Sequence, residues 1–188
     1  PAKVRVEPVV QEEVARTQNV IGILYYDRVS NISTELAGLV DKVEVKQGDV
    51  VKRGTPLVRL NTEILDKEIA YQKSMLKRTE LRIANAKKNY SRLERLFDKS
   101  GVSEKEKDDA LFTFQDAQLE KRGSEDTLQK MEIQKKRSII SAPFDGIILT
   151  KDVDSGSWVQ QGKQLVSLGS KEDVFIRAPI AETNLQHI

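Results

Sequence analysis

The feature that most constrains this chain is an internal repeat. Residues 33–60 align without a gap to residues 141–168, at a shift of 108, with nine identities in 28 positions. Two glycines six residues apart are typical of tight turns flanking a short strand, because glycine adopts positive φ without steric cost. We therefore predict that each copy is a set of short strands with turn glycines at these positions: Gly38, Gly48 and Gly54 in the first copy, and Gly146, Gly156 and Gly162 in the second.

Neither copy is large enough to fold alone. Three or four short strands cannot bury their own apolar face, so the two copies are predicted to pack together as a small sandwich with pseudo-twofold symmetry. The residues between the copies are then an insertion into one β-module.

The insertion is predicted to be helical. No proline lies between Pro56 and Pro143, and 33 of the 76 residues from 62 to 137 are charged. Apolar and small residues recur in alternating steps of four and three from residue 65 to residue 97, which is a heptad pattern. A weaker seam runs from residue 110 to residue 131, where Lys121 and Ser124 interrupt it.

A turn near residues 99–103 separates the two predicted helices. Gly101 and Val102 lie where the heptads stop, and Ser103 followed by Glu106 has the capping-box form that begins a helix. Two antiparallel helices of about 35 to 39 residues, at ~1.5 Å per residue, make a rod roughly 50 to 58 Å long.

Composition excludes much enzyme chemistry. The 188 residues include no cysteine and one histidine, His187, so the chain has no zinc-thiolate site and no thiol nucleophile. Met75 and Met131 are far apart and fit helix packing better than metal binding. Asp108 and Asp109 are adjacent in a helix, so they diverge by about 100° and do not form a converging acid pair. The net charge of +2 argues against a dedicated nucleic-acid binder.

The two copies resemble the half motifs of lipoyl-type domains, through the segment 38–57 and its partner 142–146. The order of half motif, helical hairpin and half motif resembles the periplasmic adaptor proteins, or membrane fusion proteins, of tripartite efflux and secretion systems. The likeness is strongest to the adaptors of resistance-nodulation-division pumps. Residues 20–23 and 174–185 look like the start and the return of the β-barrel domain of that family.

The resemblance implies an elongated α+β fold in three parts. Residues 33–60 and 139–168 form a lipoyl-like β-sandwich, residues 61–138 form an antiparallel α-helical coiled-coil hairpin, and residues 1–32 and 169–188 form a partial β-barrel domain. The chain begins at Pro1 and stops at Ile188, where family members continue into the rest of the barrel and a membrane-proximal domain. We therefore expect a trimmed piece whose anchoring segment is missing.

The resemblance also implies a function without chemistry or cofactor. In the periplasm, attached to the inner membrane in the intact protein, the adaptor links an inner-membrane transporter to a TolC-type outer-membrane channel. The resemblance further implies that six copies pack side by side. In this sequence residues 62–100 carry a net charge of +4 and residues 103–137 a net charge of −1, which favours attraction between neighbouring hairpins. An alternative is the adaptor of an ATP-driven exporter of the type I secretion or macrolide type.

A docking motif of the family fits the predicted turn. Arg92, three residues, Leu96, six residues and Ser103 match the tip motif with which similar adaptors engage the channel, and Gly101 and Val102 lie in the same turn. Structural roles are the competing interpretation: Leu96 widens the seam, Arg92 is solvated and Ser103 is an N-cap. The place at the tip of a hairpin favours docking, and Ser103 can serve both roles.

Two rival functions explain less of the chain. A lipoyl or biotinyl carrier modifies a lysine on the turn between its halves, whereas Lys42 lies early in a predicted strand and the insertion occupies that junction. A structural coiled-coil spacer explains the rod but not the split repeat. Trp158, the only tryptophan, lies beside Val159 in a predicted strand and is interpreted as a sandwich residue.

Overall fold

The computed structural model describes residues 2, 4, 21–172 and 174–178. Two long helices separate two groups of short strands, which confirms the prediction of a mixed helix and sheet fold. In chain order the elements are β1 (Ile23–Tyr26), β2 (Val29–Ser33), β3 (Gly38–Val43), β4 (Val50–Val51), β5 (Pro56–Leu60), α1 (Glu63–Phe97), α2 (Glu104–Arg137), β6 (Ile139–Ser141), β7 (Gly146–Lys151), β8 (Trp158–Val159), β9 (Gln164–Ser170) and β10 (Val174–Arg177).

The two copies of the repeat interlock in two four-stranded sheets. One sheet has the order β2-β9-β7-β4 and the other β6-β5-β3-β8. The shift of 108 residues maps β2, β3, β4 and β5 onto β6, β7, β8 and β9, so it converts one order into the other. Each copy therefore contributes strands to both sheets, and each sheet joins strands of the two copies.

Hydrogen bonds follow the same symmetry. Gly48 N–H donates to the carbonyl of Ile148 at 2.8 Å, and Gly156 N–H donates to the carbonyl of Val40 at 2.8 Å. The inner faces of both sheets share one apolar core, in which Leu57 and its counterpart Leu165 are fully buried. The sequence repeat is thus a repeat of backbone pairing and of core positions.

The glycines of the repeat fall into two groups. Gly48, Gly54, Gly156 and Gly162 adopt φ between 81° and 91° in turns, where a side chain is strained. Gly38 and Gly146 instead begin strands β3 and β7, so their assignment as turn residues was wrong. Close packing explains Gly146, because a Cβ there would lie 2.3 Å from the carbonyl oxygen of Gly169.

The helical hairpin is built on the two predicted seams. Every heptad position from residue 65 to residue 97, and from residue 110 to residue 131, is buried or half-buried. Polar residues of both seams have partners: Gln72 Nε2 in the first donates to the backbone carbonyl of Ser124 at 3.1 Å, and Lys121 Nζ in the second pairs with Glu80 and Glu125 at 3.3 and 3.4 Å. The hydrogen bonds to Glu80 and Glu125 raise the pKa of Lys121. This polar layer fixes the register of the hairpin.

Further ion pairs join the helices along the rod. Lys73 pairs with Glu132 at 3.2 Å, and Arg82 pairs with Glu120 and with Asp116. These pairs are exposed, so each adds little free energy of folding, but together they oppose sliding of one helix along the other.

The two flanks of the sequence meet in a separate ribbon. Strand β1 pairs antiparallel with β10, and Leu24 lies opposite Ile176. The pairing predicted for the flanks is therefore present in residues 23–26 and 174–177. Most of the predicted barrel segment, including His187, lies outside the described residues.

Gly146→Ala is expected to lower the free energy of unfolding by about 1–3 kcal/mol, because the added Cβ overlaps the backbone of β9. Its symmetry mate provides the control. A Cβ at Gly38 meets only the Leu60 side chain at 3.8 Å, so Gly38→Ala is expected to change stability by less than about 0.5 kcal/mol. Urea unfolding followed by circular dichroism measures both, and equal losses would contradict the packing explanation.

Gly123→Ala is expected to raise the free energy of unfolding by about 0.5–1 kcal/mol, because alanine loses less backbone entropy than glycine when it enters a helix. Gly123 is exposed within α2, and a Cβ built there has no atom within 4 Å. Ala84→Gly, at an exposed site in α1, is the reciprocal control and should lose about the same amount. Thermal unfolding measures both changes, and no gain from Gly123→Ala would show that this glycine has another role.

Candidate functional site

The tip of the hairpin reverses the chain between residues 97 and 104. Helix α1 ends at Phe97 with Asp98 as its C-cap; Asp98 N–H donates to the carbonyl of Glu94 at 3.2 Å, and Lys99 N–H donates to the carbonyl of Leu96 at 3.1 Å. Ser100 adopts a positive φ of 58°, and Gly101 N–H donates to the carbonyl of Leu96 at 2.8 Å. A Cβ at Gly101 would approach that carbonyl oxygen to 3.2 Å, so the turn favours a residue without a side chain here.

Ser103 caps helix α2, as the sequence predicts. Its Oγ accepts a hydrogen bond from Glu106 N–H at 3.3 Å, and its own N–H donates to Glu106 Oε2 at 2.8 Å. The hydrogen bonds from the Ser103 backbone and hydroxyl hold the pKa of Glu106 below its ordinary value of 4.5. The Ser103 side chain therefore fixes the geometry of the turn.

Leu96 and Arg92 lie one helical turn apart on the outside of α1. Leu96 is 41% exposed although it is apolar, and Arg92 is exposed with one Nη2 donating to Asn89 Oδ1 at 2.8 Å. Neither lies in the buried seam, which is occupied nearby by Leu93 and Phe97. The exposure of Leu96 agrees with the prediction that this side chain lies outside the buried seam. Val102, in the turn, is half-buried.

Two aromatic contacts stiffen the last turns of the rod. Lys107 Nζ lies 4.3 Å from the centre of the Phe97 ring, and Tyr90 and Phe114 stack at 6.4 Å between ring centres. The contact of Lys107 with Phe97 was not predicted from the sequence. The sequence does contain a pattern that favours this contact, because residue 97 ends the first seam and residue 107 lies one turn into the second helix.

The tip therefore combines an exposed leucine, a nearby guanidinium and a capped turn. This is a composition suited to protein contact, because apolar anchors with an adjacent arginine are common at interface hot spots. Within residues 21–172 and 174–178, no group of three or more His, Cys, Asp or Glu side chains is placed to hold a metal ion. In the same part of the chain, no helix is both long enough and apolar enough to cross a bilayer.

Other residues singled out from the sequence lie far from the tip. Lys42 is in strand β3 and pairs with Glu44 at 2.7 Å, and hydrogen bonds from Lys42 and Arg59 lower the pKa of Glu44. Trp158 is in strand β8 as predicted, but it is 65% exposed, whereas Val159 is buried. Trp158 is therefore a residue of the sandwich, as predicted, but it lies on the outer face, because alternation along the strand points Val159 to the core.

Comparison with known proteins identifies relatives across most of the chain. A family model described as "CzcB-like, barrel-sandwich hybrid domain" matches residues 28–170. The toluene efflux pump periplasmic linker protein TtgD of Pseudomonas putida is 25% identical over 178 residues, which are 94% of this chain and 43% of TtgD. The multidrug resistance protein MdtA of Photorhabdus laumondii is 20% identical over 187 residues, which are 94% of this chain and 47% of MdtA. This chain thus spans less than half the length of either relative.

Solved structures share the fold. ZneB from Cupriavidus metallidurans matches with a TM-score of 0.60 at 18% identity, covering 89% of this chain and 71% of ZneB. MacA from Actinobacillus actinomycetemcomitans matches with a TM-score of 0.54 at 20% identity, covering 89% of this chain and 57% of MacA. The arrangement of sheets and long helices is therefore one already seen in membrane fusion proteins.

The capping box predicts a pH dependence at the tip. Because the folded pKa of Glu106 is lowered, its contribution to the cap is present above pH 4.5 and is lost as the pH falls through the lowered value. The amide proton shift of Ser103, followed by NMR, is expected to titrate with a midpoint below 4.5. Glu106→Gln keeps a capping side chain without the titration and should give a flat curve. A midpoint at or above 4.5 in the native chain would contradict the bond.

Proposed function

This chain belongs to the periplasmic adaptor, or membrane fusion protein, family, and on that premise we propose that it links an inner-membrane transporter to a TolC-type outer-membrane channel. The family is non-enzymatic, and the chain is proposed to act mechanically and to perform no chemistry. The observation that carries the proposal is the exposed Leu96, 41% accessible at the tip of a two-helix rod. The proposed place of action is the periplasm, with attachment to the inner membrane in the intact protein.

The parts of the chain are assigned to separate tasks. The lipoyl-like sandwich of residues 33–60 and 139–168 is the rigid base, and the hairpin of residues 61–138 is the arm. The partial barrel domain of residues 1–32 and 169–188 is the side facing the transporter. At ~1.5 Å per residue, the 35 residues of α1 place the tip about 50 Å from the base. An arm of that length needs a fixed register to deliver its tip accurately, and the polar layer around Lys121 supplies it.

The proposed docking contact uses three features of the tip. Leu96 supplies apolar surface that an outer-membrane channel can cover, and Arg92 supplies hydrogen-bond donors beside it. Ser103 and Gly101 hold the turn that presents them, and Val102 in the same turn is half-buried. The contact is thus proposed to depend on Leu96 and Arg92 directly and on Ser103 and Gly101 through the shape of the turn.

Copies of the chain are proposed to assemble around the transport path, as a hexamer. Each helix of the hairpin has few fully buried residues, which are Ile69, Thr79 and Ala86 in α1 and Ala110 and Ala117 in α2. A rod with so narrow a core gains from packing sideways against further copies. The transporter is proposed to be of the resistance-nodulation-division class, with an ATP-driven exporter as the alternative.

Leu96→Asp is expected to reduce capture of the outer-membrane channel to below about a tenth of the native level, because a carboxylate cannot be buried in an apolar contact without a partner. The measurement is recovery of the channel with the tagged protein after chemical cross-linking in its own envelope. The same experiment identifies the inner-membrane transporter, and so distinguishes the two pump classes.

Leu81→Asp is the matched control. Leu81 is 63% exposed on the same helix and lies more than two heptads before Leu96. Its substitution should leave channel recovery unchanged, and helicity by circular dichroism should be native in both variants. Full channel recovery with Leu96→Asp would remove the tip assignment.

A further inference from the structure

The pseudo-twofold symmetry isolates one residue that the fold does not require. Trp158 in β8 occupies the position that Val50 occupies in β4, because Leu39 lies opposite Trp158 as Ile147 lies opposite Val50. Both are exposed, by 65% for Trp158 and 61% for Val50. A valine is therefore sufficient for strand pairing at this position, so strand pairing does not explain the large exposed aromatic surface of Trp158.

Trp158 belongs to an exposed apolar patch at the base of the hairpin, here called the tryptophan patch. Leu39 lies opposite it across the strand pair and is 41% exposed, and Ile64 in the first turn of α1 is 76% exposed. The three residues line a groove of about 550 Å³ whose charged lining residues are Glu63 and Glu68, with no lysine or arginine. The patch is therefore apolar in the middle and acidic at its rim.

A second apolar patch lies at the opposite edge of the same sheet, here called the isoleucine patch. Ile139 in edge strand β6 is 39% exposed, and Ile133 in the last turns of α2 is 45% exposed. Both line a groove whose charged residues are Glu35, Lys136 and Arg137. The sheet order β6-β5-β3-β8 places the isoleucine patch and the tryptophan patch at its two outer strands.

Neighbouring grooves at the junction of sandwich and hairpin lead from one patch to the other. The groove of Trp158 shares Leu36 and Gln134 with a second groove, which shares Ile133 with the groove of the isoleucine patch. A fourth groove shares Ile139 with the isoleucine patch and Glu63 with the tryptophan patch. The two patches themselves have no lining residue in common.

The rims of the two patches have opposite charge available for a partner. Within the described part of the chain, Glu63 and Glu68 form no ion pair, and neither does Lys136. Arg137 pairs with Glu35 at 2.9 Å, on the side of the isoleucine patch. Glu63 and Glu68 at one apolar centre are therefore complementary to Lys136 at the other.

We propose that the tryptophan patch of one copy binds the isoleucine patch of the next copy. The contact is heterologous, since it joins two different surfaces, and repetition of such a contact closes a ring when the rotation permits. It rests on the proposed function, for which it names the residues of the contact between neighbouring copies. Trp158 is then the apolar anchor, and Glu68 faces Lys136 across the contact.

The chain supplies its own reporter for this contact. Trp158 is the only tryptophan, so its fluorescence emission is expected to shift to shorter wavelength as rising protein concentration buries it. Glu68→Lys or Lys136→Glu, each placing like charges in opposition, should raise the dissociation constant about tenfold. The double variant should recover association, because the attraction is restored with its direction exchanged.

Sedimentation equilibrium measures the same association independently of fluorescence. Asp98→Lys, at the far end of the hairpin, changes net charge equally and should associate as the native chain does. Trp158→Ala should weaken association, whereas Val50→Ala, at the symmetry-related site, should not. Native association in both Glu68→Lys and Trp158→Ala overturns the proposal.

Cysteine cross-linking tests the direction of the contact in a chain that contains no native cysteine. Ile64→Cys combined with Ile133→Cys should form multimers beyond the dimer on oxidation, whereas each single variant should remain monomeric. Dimers from Ile64→Cys alone would mean that two tryptophan patches meet, and would overturn the heterologous contact. No multimers from the double variant, or cross-links only to other proteins, would also overturn it.

Failure of this proposal and failure of the adaptor function are distinguishable. The adaptor function is tested by channel recovery through Leu96, and the contact between copies is tested by self-association of the isolated chain. Channel recovery with native-like association in the patch variants rejects the contact alone. Self-association that depends on Trp158 and Glu68, without channel recovery, rejects the docking function alone.

Discussion

The structure depends on the exchange of strands between the two copies of the repeat. Strand β4 of the first copy pairs with β7 of the second, and β8 of the second copy pairs with β3 of the first. Neither sheet is complete without both copies, and the core leucines Leu57 and Leu165 are buried between them.

The long insertion is tolerated because it does not interrupt this exchange. Its two ends leave from β5 and β6, which are adjacent antiparallel strands, with Leu60 N–H donating to the carbonyl of Ser138 at 2.9 Å.

A hairpin anchored on neighbouring strands pays little loop-closure entropy, since its feet are already side by side. This anchoring matters because the rod itself is weakly cored. Register is fixed by polar contacts such as Gln72 with Ser124 and Lys121 with Glu80, and the apolar seam adds modest burial. The base therefore supplies the stability, and the rod supplies reach.

Much of this architecture is predictable from local patterns. The repeat predicts the interlocking halves, the heptads predict both seams, and Ser103 with Glu106 predicts the cap, because each depends on residues close in sequence or related by one fixed shift. The strand position of Trp158 is predictable too, and alternation along β8 implies that Trp158 and Val159 face opposite sides of the sheet. The different packing of Gly38 and Gly146 was not predictable, because it depends on the lengths of their neighbouring strands. Strand β9 is two residues longer than its counterpart β5, and the added residues place the Gly169 carbonyl against Gly146. For Lys121 and Ser124, the sequence shows an interrupted seam, and only the opposite helix shows their partners.

The tip around Leu96 and the tryptophan patch stand at opposite ends of the rod and place different demands on it. A contact between copies at the tryptophan patch lies where the backbone is held by two sheets, so it is presented by a rigid base. The tip is held by one turn and one cap, and Leu96 there lies beyond the last fully buried residue of α1, Ala86. Small adjustments of the tip thus cost less than adjustments of the base. A molecule built in this way can keep a fixed arrangement among its copies while its far ends adapt to the surface they meet.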